Sequence, residues 1–383
     1  MIRNESIICF AHDWGGDPTS KTHIMRILSE GNRILWVNSI GMRRPAVSRR
    51  DFSRIVAKLK RARQGLVHVN PNLAVCNPLV VPFPGVPGVD RLNATLLRAS
   101  IRRDARRAGL TKPILWTFLP NTVGLVGKLD ESRVIYHCVD EYKAFAGVSR
   151  ESLARMEETL VRRADLVLTS SESLCRARRA MNPNTHFVSH GVDVAHFSRA
   201  LAPDTRVPFD ADGMRRPVIG FFGLIAEWID QELLRALAQR RPDWSFLIIG
   251  KASVDTGRLQ GLPNVRLLGQ KPYDTLPAYC RAFDVGIIPF KLDELTMKAN
   301  PLKLREYLAA GLPVVSSDMP EVSRYGDRVH LASGPGGFER AIEDALGTRS
   351  EAAALRRMES MKHESWDARV EEISELILAG GAR

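Results

Sequence analysis

Short apolar runs alternate with helical segments along the whole chain. That predicts an α/β protein of two doubly wound domains facing across a cleft, each a parallel sheet wrapped by helices. Two further observations support this. One polar, aperiodic stretch interrupts the alternation near the middle, and 383 residues is too long for one ordinary core but right for two domains of roughly 150–200 residues each.

In the first half the strand candidates are Ser6–Ala11, Arg33–Asn38, Leu73–Asn77, Ile114–Leu119, Arg133–Val139, Leu166–Ser170 and His186–Ser189. Helical periodicity falls between most of them, at Ser20–Glu30, Asp90–Ala108, Arg150–Arg163 and Ser171–Met181. Ala200–Arg216 carries Pro203, Pro208 and Gly213 with little periodicity, and reads as a linker. The same grammar then restarts. Strands are expected at Val218–Phe222, Ser245–Ile249, Val265–Leu268, Val285–Pro289 and Pro313–Ser316. Helices are expected at Asp230–Arg240, Leu276–Ala282, Lys303–Ala310 and Gly337–Ala345, with a charged helical region over Glu351–Leu378. The expected domains are therefore 1–199 and 217–362, joined by 200–216, with 363–383 a C-terminal helix packing back on the first. Ligands of such sheets sit beyond the carboxyl ends of the strands.

At 44% hydrophobic and 26% charged, the composition excludes disordered and fibrous classes. No apolar run approaches the ~20 residues of a membrane helix; the longest, such as Val218 to Ala226, has the length of a core strand. With no signal-peptide pattern, the chain is expected to stay in the cytoplasm. Cys9, Cys76, Cys138, Cys175 and Cys280 are dispersed, which fits reduced thiols and neither a disulfide frame nor a metal site. Residues 1–200 hold 31 Lys and Arg against 17 Asp and Glu, whereas residues 201–383 hold 24 against 26, so the positive excess lies in the first half. It suggests an anionic partner there.

Four segments carry candidate chemistry. Ile7 to Lys21 reads as a strand, a polar turn with Gly15 and Gly16, and a helix start; its backbone N–H groups would suit an anion or a hydroxyl, with His12 and Asp13 beside them. The plainer alternative is an ordinary turn with Ser20 as helix cap. It is neither a dinucleotide nor a phosphate-loop signature. In Asp51–Arg63, Phe52, Ile55, Val56 and Leu59 share a helix face, and nine basic residues against one acid lie between Arg43 and Arg63. That is the pattern of a basic helix lying on an anionic membrane surface, or else a solvated face of the domain itself. Arg98, Arg102, Arg103, Arg106 and Arg107 form a second basic cluster. No nucleic-acid module accompanies the charge, so nucleic acid is not an expected partner. The strand ending Tyr136-His137-Cys138-Val139 leads into Asp140 and Glu141, carboxylates at a strand's carboxyl end that can serve as a general base, a cap or a loop ion pair. His12, Asp13 and Glu141 compete with Asp140 for the basic role. Last, KANPLKLREYLAAGLPVVSS over Lys298–Ser317 places Lys303, Glu306 and Ala310 on one helix face behind Pro301. A Lys at a helix N-terminus makes a diphosphate site, and a Glu one turn on can accept two ribose hydroxyls.

This last stretch resembles the nucleotide-sugar motif of GT-B glycosyltransferases, in particular the bacterial family 4-like group, whose domains are Rossmann-like. Two other segments resemble the same group. Gly220-Phe221-Phe222-Gly223-Leu224-Ile225-Ala226-Glu227-Trp228-Ile229-Asp230 is similar to the first strand-loop-helix of the donor domain. Ser189-His190-Gly191-Val192-Asp193-Val194-Ala195-His196-Phe197 is similar to an Asn-Gly-Val-Asp…Phe signature, with His190 in place of Asn. The resemblance implies that Glu306 binds the nucleotide ribose as the second Glu of a Glu-seven-residues-Glu motif. The first Glu is replaced by Lys298, which departs from the retaining members. It further implies that Lys303 contacts the diphosphate, with backbone near Gly223, and that Asp140 is the catalytic base of an inverting reaction.

The resulting expectation is a transferase that moves a sugar from a nucleotide diphosphate sugar, with UDP the expected nucleotide, to a lipid-linked or polysaccharide acceptor in cell-envelope glycan synthesis. The donor is a substrate; no cofactor and no metal are expected. His12, Asp13, Gly15 and Gly16 would lie on the acceptor side, with the protein peripheral at the inner face of the cell membrane. A nucleotide-sugar 2-epimerase and a non-catalytic sugar- or membrane-binding protein of the same fold are the alternatives. An epimerase needs no basic amphipathic face, and a binding protein need not keep Lys303 and Glu306.

Overall fold

Strands buried on both faces must be apolar where they are buried, and after Ser6 and Arg33 the first two strands of the chain are. β1 (Ser6–Phe10) and β2 (Arg33–Val37) pair in parallel, each burying its last four residues. Between them, α1 (Ser20–Leu28) buries Ile24, Met25 and Leu28. Thr19 occupies its N-cap and donates its backbone N–H to Thr22 Oγ1 at 3.4 Å, so Ser20 is the first helical residue and not the cap. In the computed structural model, residues 1–39, 65–78, 89–142 and 150–380 are described. The expected basic helix over Asp51–Arg63 lies outside them.

The chain divides into two compact units: Met1–Val188 with Val370–Arg383, and Ser189–Arg369. In unit 1, β3 (Val67–Asn70), β4 (Leu73–Cys76), β5 (Ile114–Thr117), β6 (Arg133–Cys138), β7 (Leu166–Thr169) and β8 (Thr185–Phe187) join β1 and β2. The sheet order is β3-β4-β2-β1-β5-β6-β7-β8, parallel except for the antiparallel β3–β4 pair. β3 escapes the sequence reading because Val67, His68 and Val69 are all exposed at the sheet edge. Three helices follow α1: α2 (Val89–Arg107), α3 (Arg150–Arg163) and α4 (Glu172–Arg179). α2 buries Leu97, Ile101 and Ala105 at four-residue spacing and exposes Arg98, Arg103, Arg106 and Arg107. α4 starts at Ser171, whose Oγ accepts from the Leu174 N–H at 3.3 Å.

Unit 2 repeats the plan with β9 (Val218–Phe222), β10 (Ser245–Ile249), β11 (Val265–Leu267), β12 (Val285–Ile288), β13 (Val314–Ser317) and β14 (His330–Ala332). They form an all-parallel sheet in the order β11-β10-β9-β12-β13-β14. Its helices are α5 (Val194–Phe197), α6 (Gln231–Arg240), α7 (Leu276–Cys280), α8 (Leu302–Ala309), α9 (Pro320–Ser323), α10 (Gly334–Gly347) and α11 (Glu351–Glu359); α12 (Trp366–Ala379) crosses the division. The expected helical region over 351–378 is thus two helices, parted around Lys362–Glu364.

Residues 200–216, expected as a linker, belong to unit 2. Ala200 and Ala211 are in its core, and the Asp210 carboxylate accepts from Lys271 Nζ at 2.5 Å and Tyr279 OH at 2.9 Å. The polar character that suggested a linker is spent on bonds within the unit. The first domain likewise ends at Val188, not at residue 199. Among the described residues no helix is long and apolar enough to cross a membrane, and all five cysteines are buried and unpaired.

Candidate active site

The segment Ser189–Phe197 is built into unit 2 by its own side chains. Asp193 caps α5 through Oδ1, accepting from the His196 N–H at 2.9 Å. His196 stacks on Tyr273 with ring centroids 4.4 Å apart, and Phe197 stacks on Phe222 at the end of β9. The chain leaves β9 through Gly223, whose φ of +134° is open to glycine and strained for any other residue. A Cβ there would overlap the Cε and Nζ of Lys303, and a Cβ on Gly250 would overlap the Gly223 carbonyl. Two backbones and a lysine stem therefore meet at a point where no side chain fits.

Lys303 comes from the first turn of α8, behind Pro301 at its N-cap. Its ammonium lies 5.6 Å from the Phe221 ring centroid. Burial lowers its pKa, against the pull of Glu306 one turn on. The Glu306 carboxyl is pushed up to about 7 by burial, with Lys303 opposing. Both side chains are half-buried. Tyr307 OH accepts the Phe222 N–H at 3.0 Å and so ties α8 to the end of β9. Lys298 lies in the one-turn helix Thr296–Lys298, with Nζ 3.2 Å from Glu294 Oε1.

A buried arginine positions α8, and sequence reasoning missed it. Arg305 donates from Nη1 to Asn300 Oδ1 at 2.8 Å, from Nε to Glu364 Oε2 at 2.9 Å, and from Nη2 to Ser189 Oγ. It therefore joins the Ser189 segment, the turn before Pro301 and the chain before α12. A fully apolar flank with one Arg in it was the available signal.

In unit 1, the carboxyl ends of β1, β5 and β6 gather a second cluster. His12 lies edge-on to Trp36 at 5.6 Å, and its carbonyl accepts from Trp36 Nε1 at 3.0 Å. Asn38 Oδ1 accepts both Trp36 Nε1 at 3.1 Å and the Trp14 N–H at 2.8 Å, so this unpredicted residue fixes the turn. Asp13 Oδ1 accepts the Ser39 N–H at 3.1 Å. Gly15 has φ of +98°, and a Cβ added at Gly15 or Gly16 would meet no atom of the described residues within 4 Å. Lys21 extends from α1 to within 5.7 Å of the Phe118 ring centroid, and Phe118 stacks on His137 at 4.9 Å. Burial and Lys21 together push His12 down to about 4 and His137 down to about 3, so both imidazoles are neutral near pH 7.

Asp140 is half-buried two residues beyond β6. Among the described residues its carboxylate caps no helix and makes no hydrogen bond. Burial raises its pKa and Lys21 lowers it. Glu141 is committed elsewhere: it is buried against the Arg178 guanidinium, with contacts of 3.1 and 3.2 Å. That removes it from the competition for the basic role.

Residues 216–348 match the profile of the family described as Glycosyl transferases group 1. This stretch is similar to a group 1 glycosyl transferase domain. It contains Gly223, Lys298, Lys303 and Glu306. Over 227 residues the chain is 32% identical to a Bacillus subtilis protein, TuaH, whose name describes a teichuronic acid biosynthesis glycosyltransferase. That alignment covers 55% of this chain and 56% of TuaH, so the chain spans about half the length of the curated relative it matches. Likeness to solved structures runs over nearly the whole chain. Sucrose-phosphate synthase from Thermosynechococcus elongatus superposes with a TM-score of 0.70 at 16% identity, covering 98% of this chain and 99% of that one. HepE of Anabaena, solved with UDP and glucose, superposes with a TM-score of 0.67 at 15% identity, covering 98% and 100%. The fold is GT-B, and the matched stretch lies in its second unit.

Proposed function

We propose that this chain is a glycosyltransferase of cell-envelope glycan synthesis, moving a sugar from a UDP-linked donor to a lipid-linked or polysaccharide acceptor. The observation that carries the reading is Lys303 laid across Gly223 at the start of α8, with Glu306 one turn on. A half-buried ammonium beside a helix N-terminus is costly unless an anion completes it, and a diphosphate does so. TuaH's name supports an envelope polysaccharide as product, and HepE's bound UDP and glucose support the donor class.

The acceptor oxygen forms a bond to the anomeric carbon, the bond from that carbon to the diphosphate breaks, and UDP leaves with the electron pair. Asp140 takes the hydroxyl proton in an inverting displacement. Lys303, with Lys298 as a second cation, stabilises charge on the departing diphosphate without a cofactor. His12, Asp13, Gly15 and Gly16 serve the acceptor side.

Calorimetry tests the donor site. Lys303→Ala removes a charge-assisted contact worth about 1.5–3 kcal/mol, and Glu306→Ala removes the ribose contacts, so UDP binding weakens in each. Because the Glu306 carboxyl sits at about 7 and only its ionised form accepts two hydroxyls, UDP affinity rises from pH 6 to 8 more steeply in the wild type than in Glu306→Gln. Unchanged UDP affinity in both alanine variants refutes the assignment.

Membrane attachment belongs to the same proposal. The exposed arginines of α2 and the basic segment 51–63 are to meet anionic lipid. Sedimentation with vesicles containing phosphatidylglycerol should capture the protein at low salt and release it as salt screens charges beyond ~8–10 Å. Protein left in the supernatant at low salt assigns the basic surface to another partner.

A further inference from the structure

A cavity of about 400 Å³ opens on unit 2 at the amino ends of β12 and β13. Gly223 and the first turn of α8 follow the carboxyl ends of β9 and β12 in the same all-parallel sheet, so the cavity lies on the edge away from the candidate donor site. Three arginines line it. Arg349 is neutralised: its Nη2 donates to the fully buried Asp284 carboxylate at 2.5 Å, beside Arg216. Arg281 and Arg357 are half-buried and bond only neutral groups among the described residues. Arg281 donates from Nη1 to the Ala200 and Ala202 carbonyls at 3.0 and 2.9 Å. Arg357 donates from Nη1 to the Gly311 carbonyl at 3.3 Å and from Nη2 to Thr348 Oγ1 at 2.7 Å. Carbonyls satisfy donors and leave the charge uncompensated. Burial and the neighbouring Arg356 hold the Arg357 guanidinium below its usual range. The other acid on the lining, Glu351, is exposed and paired with neither arginine.

We propose that this cavity is a second anion site on unit 2, which takes a small phosphate ester: Arg281 and Arg357 hold its phosphate, and Leu201, Phe283 and Leu312 cover its organic body. The two guanidiniums belong to one wall. Arg281 bonds the carbonyls on either side of Leu201, Arg357 bonds Gly311, and a Cβ on Gly311 would lie 2.8 Å from Leu201 Cδ2. A guanidinium has five N–H donors, and the bonds to carbonyl and hydroxyl oxygens leave some of them free on each arginine. Two half-buried cations without a counter-ion are costly, and a phosphate brings both the charge and the several oxygens that two forked donors match. A bare ion does not need a cavity of this size, which falls in the range of small-molecule pockets. Phe283 and Leu312 are buried apolar side chains on its lining, which suits a carbon skeleton behind the phosphate. Glu351, an exposed acceptor, suits hydroxyl groups on that skeleton, so a sugar phosphate is the class expected.

Calorimetry of the full chain, with UDP in excess to fill the donor site, tests the proposal. Glucose 6-phosphate should bind at one site per chain and more tightly than inorganic phosphate, and glucose should not bind. Arg281→Met and Arg357→Met should each weaken glucose 6-phosphate binding by ~10-fold or more. Arg281→Lys and Arg357→Lys keep the charge and lose the fork, so they should weaken it too, and they replace the methionine variants if those do not fold. Unchanged affinity in folded variants at both positions overturns the inference, as does the failure of both phosphates to bind at millimolar concentration. Equal affinity for inorganic phosphate refutes the ester as ligand. Binding that survives the arginine variants and disappears in Lys303→Ala places the anion in the donor site and overturns the inference as well. If UDP does not bind while the arginine dependence holds, the functional reading above falls and this site stands.

Discussion

Asp140→Asn should lower turnover by ~10²–10⁴-fold while UDP affinity stays at the wild-type value. The substitution keeps the shape of the side chain and removes its capacity to accept a proton. Nucleotide release reads the first quantity and calorimetry the second. The expectation rests on how the carboxyl end of β6 divides its two acids. Asp140 is half-buried and its carboxylate makes no hydrogen bond among the described residues, whereas Glu141 is 1% exposed and engaged by Arg178. UDP affinity is expected to hold because the groups assigned to the nucleotide lie in unit 2. Near-normal turnover would transfer the role to His12, whose neutral imidazole can also accept a proton.

Arg178→Met should cost about 3–5 kcal/mol of folding stability, seen as a lower urea midpoint. Arg178 donates to both oxygens of Glu141 and to Glu157 Oε1 at 2.8 Å, and all three side chains are buried. Tyr136 OH donates to the same Glu157 oxygen at 2.7 Å. Losing the guanidinium strands two carboxylates in the core of unit 1, and the penalty is theirs more than the arginine's. Replacing Glu141 and Glu157 by Gln in the same variant should therefore recover much of the loss. A single-variant loss below ~1 kcal/mol, the range of exposed pairs, would mean that water reaches the carboxylates.

Most of the fold was legible because its strands are short apolar runs with no exposed positions to blur them, as in Ile114–Thr117 and Val285–Ile288. What failed to show was the edge. β3 turns its side chains to solvent, and β14 is three residues with one buried. Residues 200–216 misled through composition, since Asp210 and its neighbours look solvated until Lys271 and Tyr279 are brought to them. Within the candidate site, Lys303 and Glu306 were legible because their partnership is one helical turn long. Arg305 was not, because the groups that give it meaning, Ser189 and Glu364, are distant in sequence. Glu141 was misread as a possible base for the same reason, as its partner Arg178 lies on a later helix.

The division of the chain also sets an order of assembly. Unit 2 is one uninterrupted stretch, whereas unit 1 takes its last piece, Val370–Arg383, from beyond it. That piece brings Val370, Ile373 and Ile377 as buried apolar side chains, and the Arg133 guanidinium donates to the Ile377 carbonyl. As the polypeptide emerges from the ribosome, the domain begun first is the one finished last, reversing the usual N-terminal-first sequence. Until residue 370 and its successors are made, the nascent first unit carries an uncovered apolar strip, while its partner already has every residue it needs to fold.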